Sequence, residues 1–215
     1  LQRQQKELED LQDMGKFIRH NAELMNHNIQ LFREGGKYDE VMQQIQETYK
    51  QDPDGAKDAF SAVSVSLMKI YSDMEHYRLH LETVHKSGKL TDPQQAVDVE
   101  AALNAVTVAM QRFHTRHHIL HDSLLKAPST EELKTQQERE GKPQFEKARL
   151  DVPALPEGDD PELENVPDLP EPGAVAKALE THHENSADKF AYIGAYIPKK
   201  FTDVDALIAS LGKMR

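Results

Sequence analysis

The chain has 215 residues, with 26 lysines and arginines against 37 aspartates and glutamates, and no cysteine. That length can bury one sizeable core, and the missing thiol excludes disulfides, thiolate catalysis and cysteine-ligated zinc. The charge is uneven, with 15 basic against 19 acidic residues in 1–126, 5 against 13 in 127–173, and 6 against 5 in 174–215. No region is basic enough to attract a phosphate backbone or anionic lipid, so neither nucleic acid nor a membrane surface is an expected partner.

No apolar run approaches the roughly 20 residues of a bilayer span. The chain starts at Leu1 rather than a methionine, which suggests a fragment or a processed product and leaves a removed targeting segment open. A cytoplasmic or particle-associated location is favoured.

The first predicted helix carries apolar residues at alternating three- and four-residue steps: Leu8, Leu11, Gly15, Ile18, Ala22, Met25, Ile29 and Phe32. Phe17, Leu24 and Leu31 widen its apolar face, and Gly35–Gly36 stops it. A shorter helix follows with Tyr38, Met42, Ile45 and Tyr49. Asp52–Pro53 offers a cap and a proline at the first helical position, and the next helix reads Phe60, Val63, Leu67, Ile70, Met74, Tyr77, Leu81 and Val84. After the break "KSGKLTDP", Asp92–Pro93 repeats the start signal. The following seam is Ala96, Val99, Leu103, Val106, Met110, Phe113, His117, Leu120 and Leu124. Short connections favour antiparallel neighbours and shallow crossings.

Beyond Lys126, "PSTEELKTQQEREG" reads as a short solvated helix with a Ser129/Glu132 capping box. Six prolines then fall between 153 and 172, a stretch that contains the repeats "VPALPE" and "VPDLPE". In polyproline II geometry Val152 with Leu155, and Val166 with Leu169, share an edge and are candidate partner contacts. A helix is expected near 174–185, and the tail "FAYIGAYIP" adds Phe190, Tyr192, Ile193, Tyr196 and Ile197 as a docking anchor. Thr202 caps a last predicted helix with Val204, Leu207, Ile208 and Leu211.

Four histidines crowd "RFHTRHHILHD" at 112–122. His114, His117 and His121 fall at i, i+3 and i+7 on one side of the helix, the spacing that could ligate a transition metal if carboxylates faced it. The di-iron bundle needs inward glutamates and Glu-x-x-His motifs on facing helices. Here Glu82–His85 and Asp73–His76 put their acids outside the seam. No metal or other cofactor and no catalytic residue is therefore assigned. His20, His27 and the "THHEN" pair at 182–183 read as surface or helix-end groups. His117 alone is a seam histidine, expected opposite Phe60 and Val63, where burial favours the neutral ring and makes the core pH-sensitive.

The expected fold is all-α: an elongated antiparallel helical bundle with coiled-coil-like packing over 1–126, an acidic Pro-rich extended spacer over 127–173, and a short helical C-terminal segment over 174–215. No Gly-rich phosphate loop or nucleophile motif occurs. The expected role is a non-catalytic structural or adaptor subunit binding protein partners in a larger assembly, with self-association among the options. A metal-binding bundle using the histidine stripe and a membrane-surface bundle are the alternatives.

Overall fold

The computed structural model describes residues 2–140, 150 and 166–185. Among them it contains six helices and no strand: α1 (Gln2–Leu31), α2 (Lys37–Tyr49), α3 (Pro53–Lys86), α4 (Pro93–Lys126), α5 (Thr130–Glu140) and α6 (Pro172–Asn185).

The helix ends follow their local chemistry. Asp52 Oδ1 accepts from the Gly55 amide at 3.0 Å and Asp92 Oδ1 from the Gln94 amide at 2.9 Å, each relieving one orphan donor beside a first-turn proline. The Ser129 hydroxyl likewise accepts from the Glu132 amide at 3.2 Å. After α1 the backbone turns through Gly35 at φ +72°, a left-handed conformation that favours glycine. A Cβ on Gly36 would meet the Arg33 and Leu31 carbonyl oxygens at 2.8 Å, so that position also needs glycine.

At 34 residues each, α3 and α4 are rods of about 51 Å. They form an antiparallel hairpin in which Phe60 and Ser64 meet His117. Helices α1 and α2 follow one another along its flank. The Phe32 carbonyl lies at Arg112, and Tyr38 lies at His117. Farther along, the Tyr49 hydroxyl donates to the Pro128 carbonyl at 2.7 Å. That distal end is closed by Lys57 Nζ donating to the Ala127 carbonyl at 2.6 Å and the Thr130 amide donating to Asp54 Oδ1 at 3.0 Å.

Helix α6 returns antiparallel to α1. Asn26 Nδ2 donates to the Pro170 carbonyl at 3.2 Å, Arg19 Nε to Glu180 Oε1 at 2.9 Å, and Gln95 Nε2 of α4 to Thr181 Oγ1 at 3.3 Å. Half of the hairpin is thus a four-helix bundle of α1, α3, α4 and α6, and the other half a three-helix arrangement with α2.

The seams fill the core. Every α2 and α3 seam residue is buried, as are those of α1 from Ile18 onward. On α4 the expected seam holds except at Ala96, which is exposed in the first turn, and Leu103 and His117, which are half-buried. A second α4 stripe, Ala102, Ala105 and Ala109, is fully buried. These small side chains let neighbouring helices approach closely.

Val175, Ala176, Ala178 and Leu179 of α6 join the same core, with Val166 buried and Leu169 packed against it. Val166 and Leu169, expected to contact a partner, therefore pack on their own bundle: Arg33 Nη2 holds the Pro167 carbonyl at 3.1 Å and draws this stretch onto α1. Val152, Leu155, Phe190, Tyr192, Ile193, Tyr196, Ile197 and the helix predicted after Thr202 lie outside the described residues, as do the side chains of Leu8, Leu11 and Phe17 and the surroundings of Gly15. No helix among the described residues is long and apolar enough to cross a membrane.

Candidate functional site

Two sets of buried polar groups stand out from the apolar core, one at each side of the bundle's middle. The first surrounds His117. Its ring stacks on Phe60 with centroids 4.7 Å apart and an interplanar angle of 21°, and lies 4.9 Å from Phe113. Phe113 contacts Phe32 at 5.2 Å, Tyr71 at 5.5 Å and Tyr38 at 5.6 Å, so aromatic rings from α2, α3, α4 and the residue just past α1 meet here.

Both imidazole nitrogens are engaged. Nε2 lies 2.8 Å from Ser64 Oγ and Nδ1 lies 3.1 Å from Tyr38 Oη. Ser64 gives its one hydroxyl proton to the Phe60 carbonyl at 2.7 Å. It therefore accepts from Nε2–H, and Nδ1 accepts from the Tyr38 hydroxyl, a neutral ring with a defined tautomer. Burial, reinforced by His121, pushes the His117 pKa down to about 4. Burial, with Asp39 nearby, raises that of Tyr38, which keeps its proton.

A second proton on His117 would turn Nδ1 into a donor facing a donor. Because the folded pKa lies below the unfolded value of about 6.5, the unfolded chain binds more protons in between. Stability is intact above pH 6.5, falls as pH drops, and the loss is complete near the folded value. The variant His117→Leu is expected to flatten this dependence. It also strands the Tyr38 hydroxyl, so stability at pH 7.5 should fall by about 1–3 kcal/mol. Urea midpoints measured from pH 7.5 to 4 check both, and an unaltered pH dependence would remove the assigned role.

Beside this cluster Arg112 is buried, with Nη1 and Nη2 each 2.9 Å from one oxygen of Asp39 and Nη1 also 2.9 Å from the Phe32 carbonyl. Asp39 Oδ2 further accepts from the Gly35 amide at 2.8 Å. Although burial pushes Asp39 up, the bonds from Arg112 and Gly35 hold its carboxyl below the usual range.

The second set is made of histidines. His80 of α3 and His182 and His183 of α6 are all buried, His80 and His182 to 1% exposure. They lie within electrostatic reach of one another. The expectation that the 182–183 pair sits at a helix surface is corrected here: α6 is wedged between α1 and the hairpin, so adjacent positions on it are both covered. Burial, then its two histidine neighbours, pushes His80 down to about 3. His182 is lowered by burial, then by Lys89 and His183.

The stripe His114, His117, His121 does not form a ligand set, because His117 turns inward while His114 and His121 are exposed. On the outer face His118 Nε2 lies 3.3 Å from Asp122 Oδ2 and His121 Nδ1 3.6 Å from Asp122 Oδ1, ordinary exposed pairs. Among the described residues no three histidine, aspartate or glutamate side chains are grouped to hold a metal ion. His20 and His27 are exposed, as their position opposite the α1 seam implies.

Sequence reasoning missed His80, Arg112 and the buried state of His182 and His183. The last was signalled: His182 continues the spacing Val175, Leu179. Comparison with protein-family models, curated proteins and solved structures gave no match.

Proposed function

We propose that the protein is a non-catalytic structural or adaptor subunit whose long hairpin presents a helical face to a protein partner. The observation that carries this reading is the outer face of α3. Val65 is 62% exposed, Met68 53% and Leu79 38%. With exposed Ser61 and Ser72 they form one stripe at helical spacing. From Ser61 to Leu79 it runs about 27 Å along a rod.

Isolated surface leucines or valines need no explanation, but an aligned stripe suits a helix or ridge from another chain. The rod is stiffened from within by the Arg112–Asp39 clamp and the aromatic cluster. Its ends are closed by caps at Asp52 and Ser87, which favours a spacing role over a moving one.

Site-specific photo-crosslinking in the producing cells tests this. A photoreactive residue at Val65 or Met68 is expected to give adducts of discrete mass, to a distinct protein or a second copy, whereas one at exposed Glu138 gives none. No adduct from either α3 position would overturn the reading.

A further inference from the structure

The outer face of α4 carries a pair of imidazoles that the core does not use. His114 and His118 stand one helical turn apart, and both are exposed. Their rings lie nearly parallel, with an interplanar angle of 8° and centroids 6.4 Å apart. We propose that this pair is a two-imidazole chelate for a divalent transition metal ion, with Asp122 as the carboxylate that orients it. The site goes beyond the adaptor role and does not depend on it.

Spacing in the sequence groups His114 with His117 and His121, but packing selects a different pair. His117 has both nitrogens committed to Ser64 and Tyr38. The His121 ring leans towards Phe60, with centroids 6.1 Å apart. His118, one turn on from His114, is the ring that stacks on it at the solvent side.

Asp122 sets the tautomer of that ring. A carboxylate only accepts, so the His118 Nε2 that faces Asp122 Oδ2 at 3.3 Å carries the ring proton and Nδ1 keeps its lone pair. A carboxylate behind an imidazole makes it a more basic ligand and holds its orientation before the metal arrives. Charge favours a cation as well. Between Gln111 and Leu125 the charged side chains are Arg112, Arg116 and Asp122. Helical position carries both arginines well away from the histidine pair, and Arg112 is buried. The formal charge on α4 beside the pair is therefore that of Asp122.

Two imidazole nitrogens bound about 2.0–2.1 Å from one ion place their ring centroids about 5 Å apart. Closing from 6.4 Å takes a change of side-chain torsion in two exposed residues. Imidazole suits Zn²⁺, Ni²⁺ and Cu²⁺, whereas Ca²⁺ and Mg²⁺ take oxygen ligands. Water fills the remaining coordination positions, and the chain has no cysteine to compete for the ion.

The test is calorimetric titration of the full chain at pH 7.5 with ZnCl₂, and with MgCl₂ as the control. Saturable binding of one Zn²⁺ is expected, and none of Mg²⁺. Affinity should fall about tenfold or more in His114→Ala and in His118→Ala alike, because each ring makes the other's bond to the ion intramolecular. Asp122→Asn should weaken it by about tenfold, while His121→Ala leaves it near the parent value. In the NMR spectrum the ring signals of His114 and His118 should move together, ahead of the other histidines. Absence of saturable Zn²⁺ binding, an unchanged affinity in His114→Ala or His118→Ala, a loss in His121→Ala as large as that in His114→Ala, or other histidine signals moving first would each overturn the chelate.

Discussion

Arg112→Ala is expected to be among the most damaging single substitutions in the chain, destabilising it by about 3–5 kcal/mol, because removing one member of a buried ion pair leaves the other uncompensated. The side chain of Arg112 is 1% exposed and that of Asp39 26%. The guanidinium fork is the common fastener of three elements: α4 through its own backbone, the end of α1 through the Phe32 carbonyl, and the start of α2 through Asp39. Without it the Phe32 carbonyl loses this partner and Asp39 keeps only the Gly35 amide among the side-chain bonds that tie it to the turn.

Arg112→Met separates the two contributions, since it keeps most of the apolar stem and loses only the charge. It should recover part of the packing but none of the pairing. The double variant Arg112→Met/Asp39→Leu should be far less harmful than the sum of its parts, because no charge is then stranded. Urea unfolding with an unchanged slope reads the effect as a midpoint shift. A loss under 1 kcal/mol for Arg112→Ala would show that water reaches the pair freely. Asp39 also predicts a second acid limb: its carboxyl is depressed in the fold, so its contribution is present above the usual aspartate value of about 3.9 and is lost as pH falls below it. That limb lies beneath the histidine window and is absent in Asp39→Asn.

The three- and four-residue spacing made the long helices legible because each buries one seam in the α3–α4 hairpin or against it, and a seam is a local property of sequence. His117 was legible for the same reason, since it occupies a seam step between Phe113 and Leu120. The caps at Asp52 and Asp92 were legible because their partners lie two or three residues away.

What escaped is the second buried face of each helix. Ala102, Ala105, Ala109 and Arg112 form a parallel stripe on α4 that becomes interior only because α1 and α6 approach there. Asn21 and Asn28 are buried on α1 for the same reason, and asparagine carries no hydrophobic signal. His80 flanks the Tyr77–Leu81 seam, and whether a flank is wet or dry depends on which distant segment covers it. The proline-rich stretch before α6 reads as a tether in composition, yet Val166 and Leu169 lead directly into the docked helix. Long-range return of a segment leaves little trace in local periodicity.

Removing everything after Lys126 should therefore cost more than the loss of a tail. Val175 and Leu179 are fully buried, each worth about 1.5–3 kcal/mol in burial, and the faces of α1 and α4 they cover lose a comparable amount. The total, about 6–12 kcal/mol, rivals the whole stability of an ordinary domain of about 5–15 kcal/mol. Chain 1–126 is expected either to unfold without a cooperative transition or to associate through its uncovered α1–α4 strip, which light scattering and calorimetry distinguish.

Two controls locate the cause. Chain 1–185, which keeps α6, should unfold in a cooperative transition, and a synthetic peptide of residues 166–185 added to chain 1–126 should restore a monomeric, cooperative species. A monomeric chain 1–126 that melts like the full protein would mean that α6 adds nothing to the core.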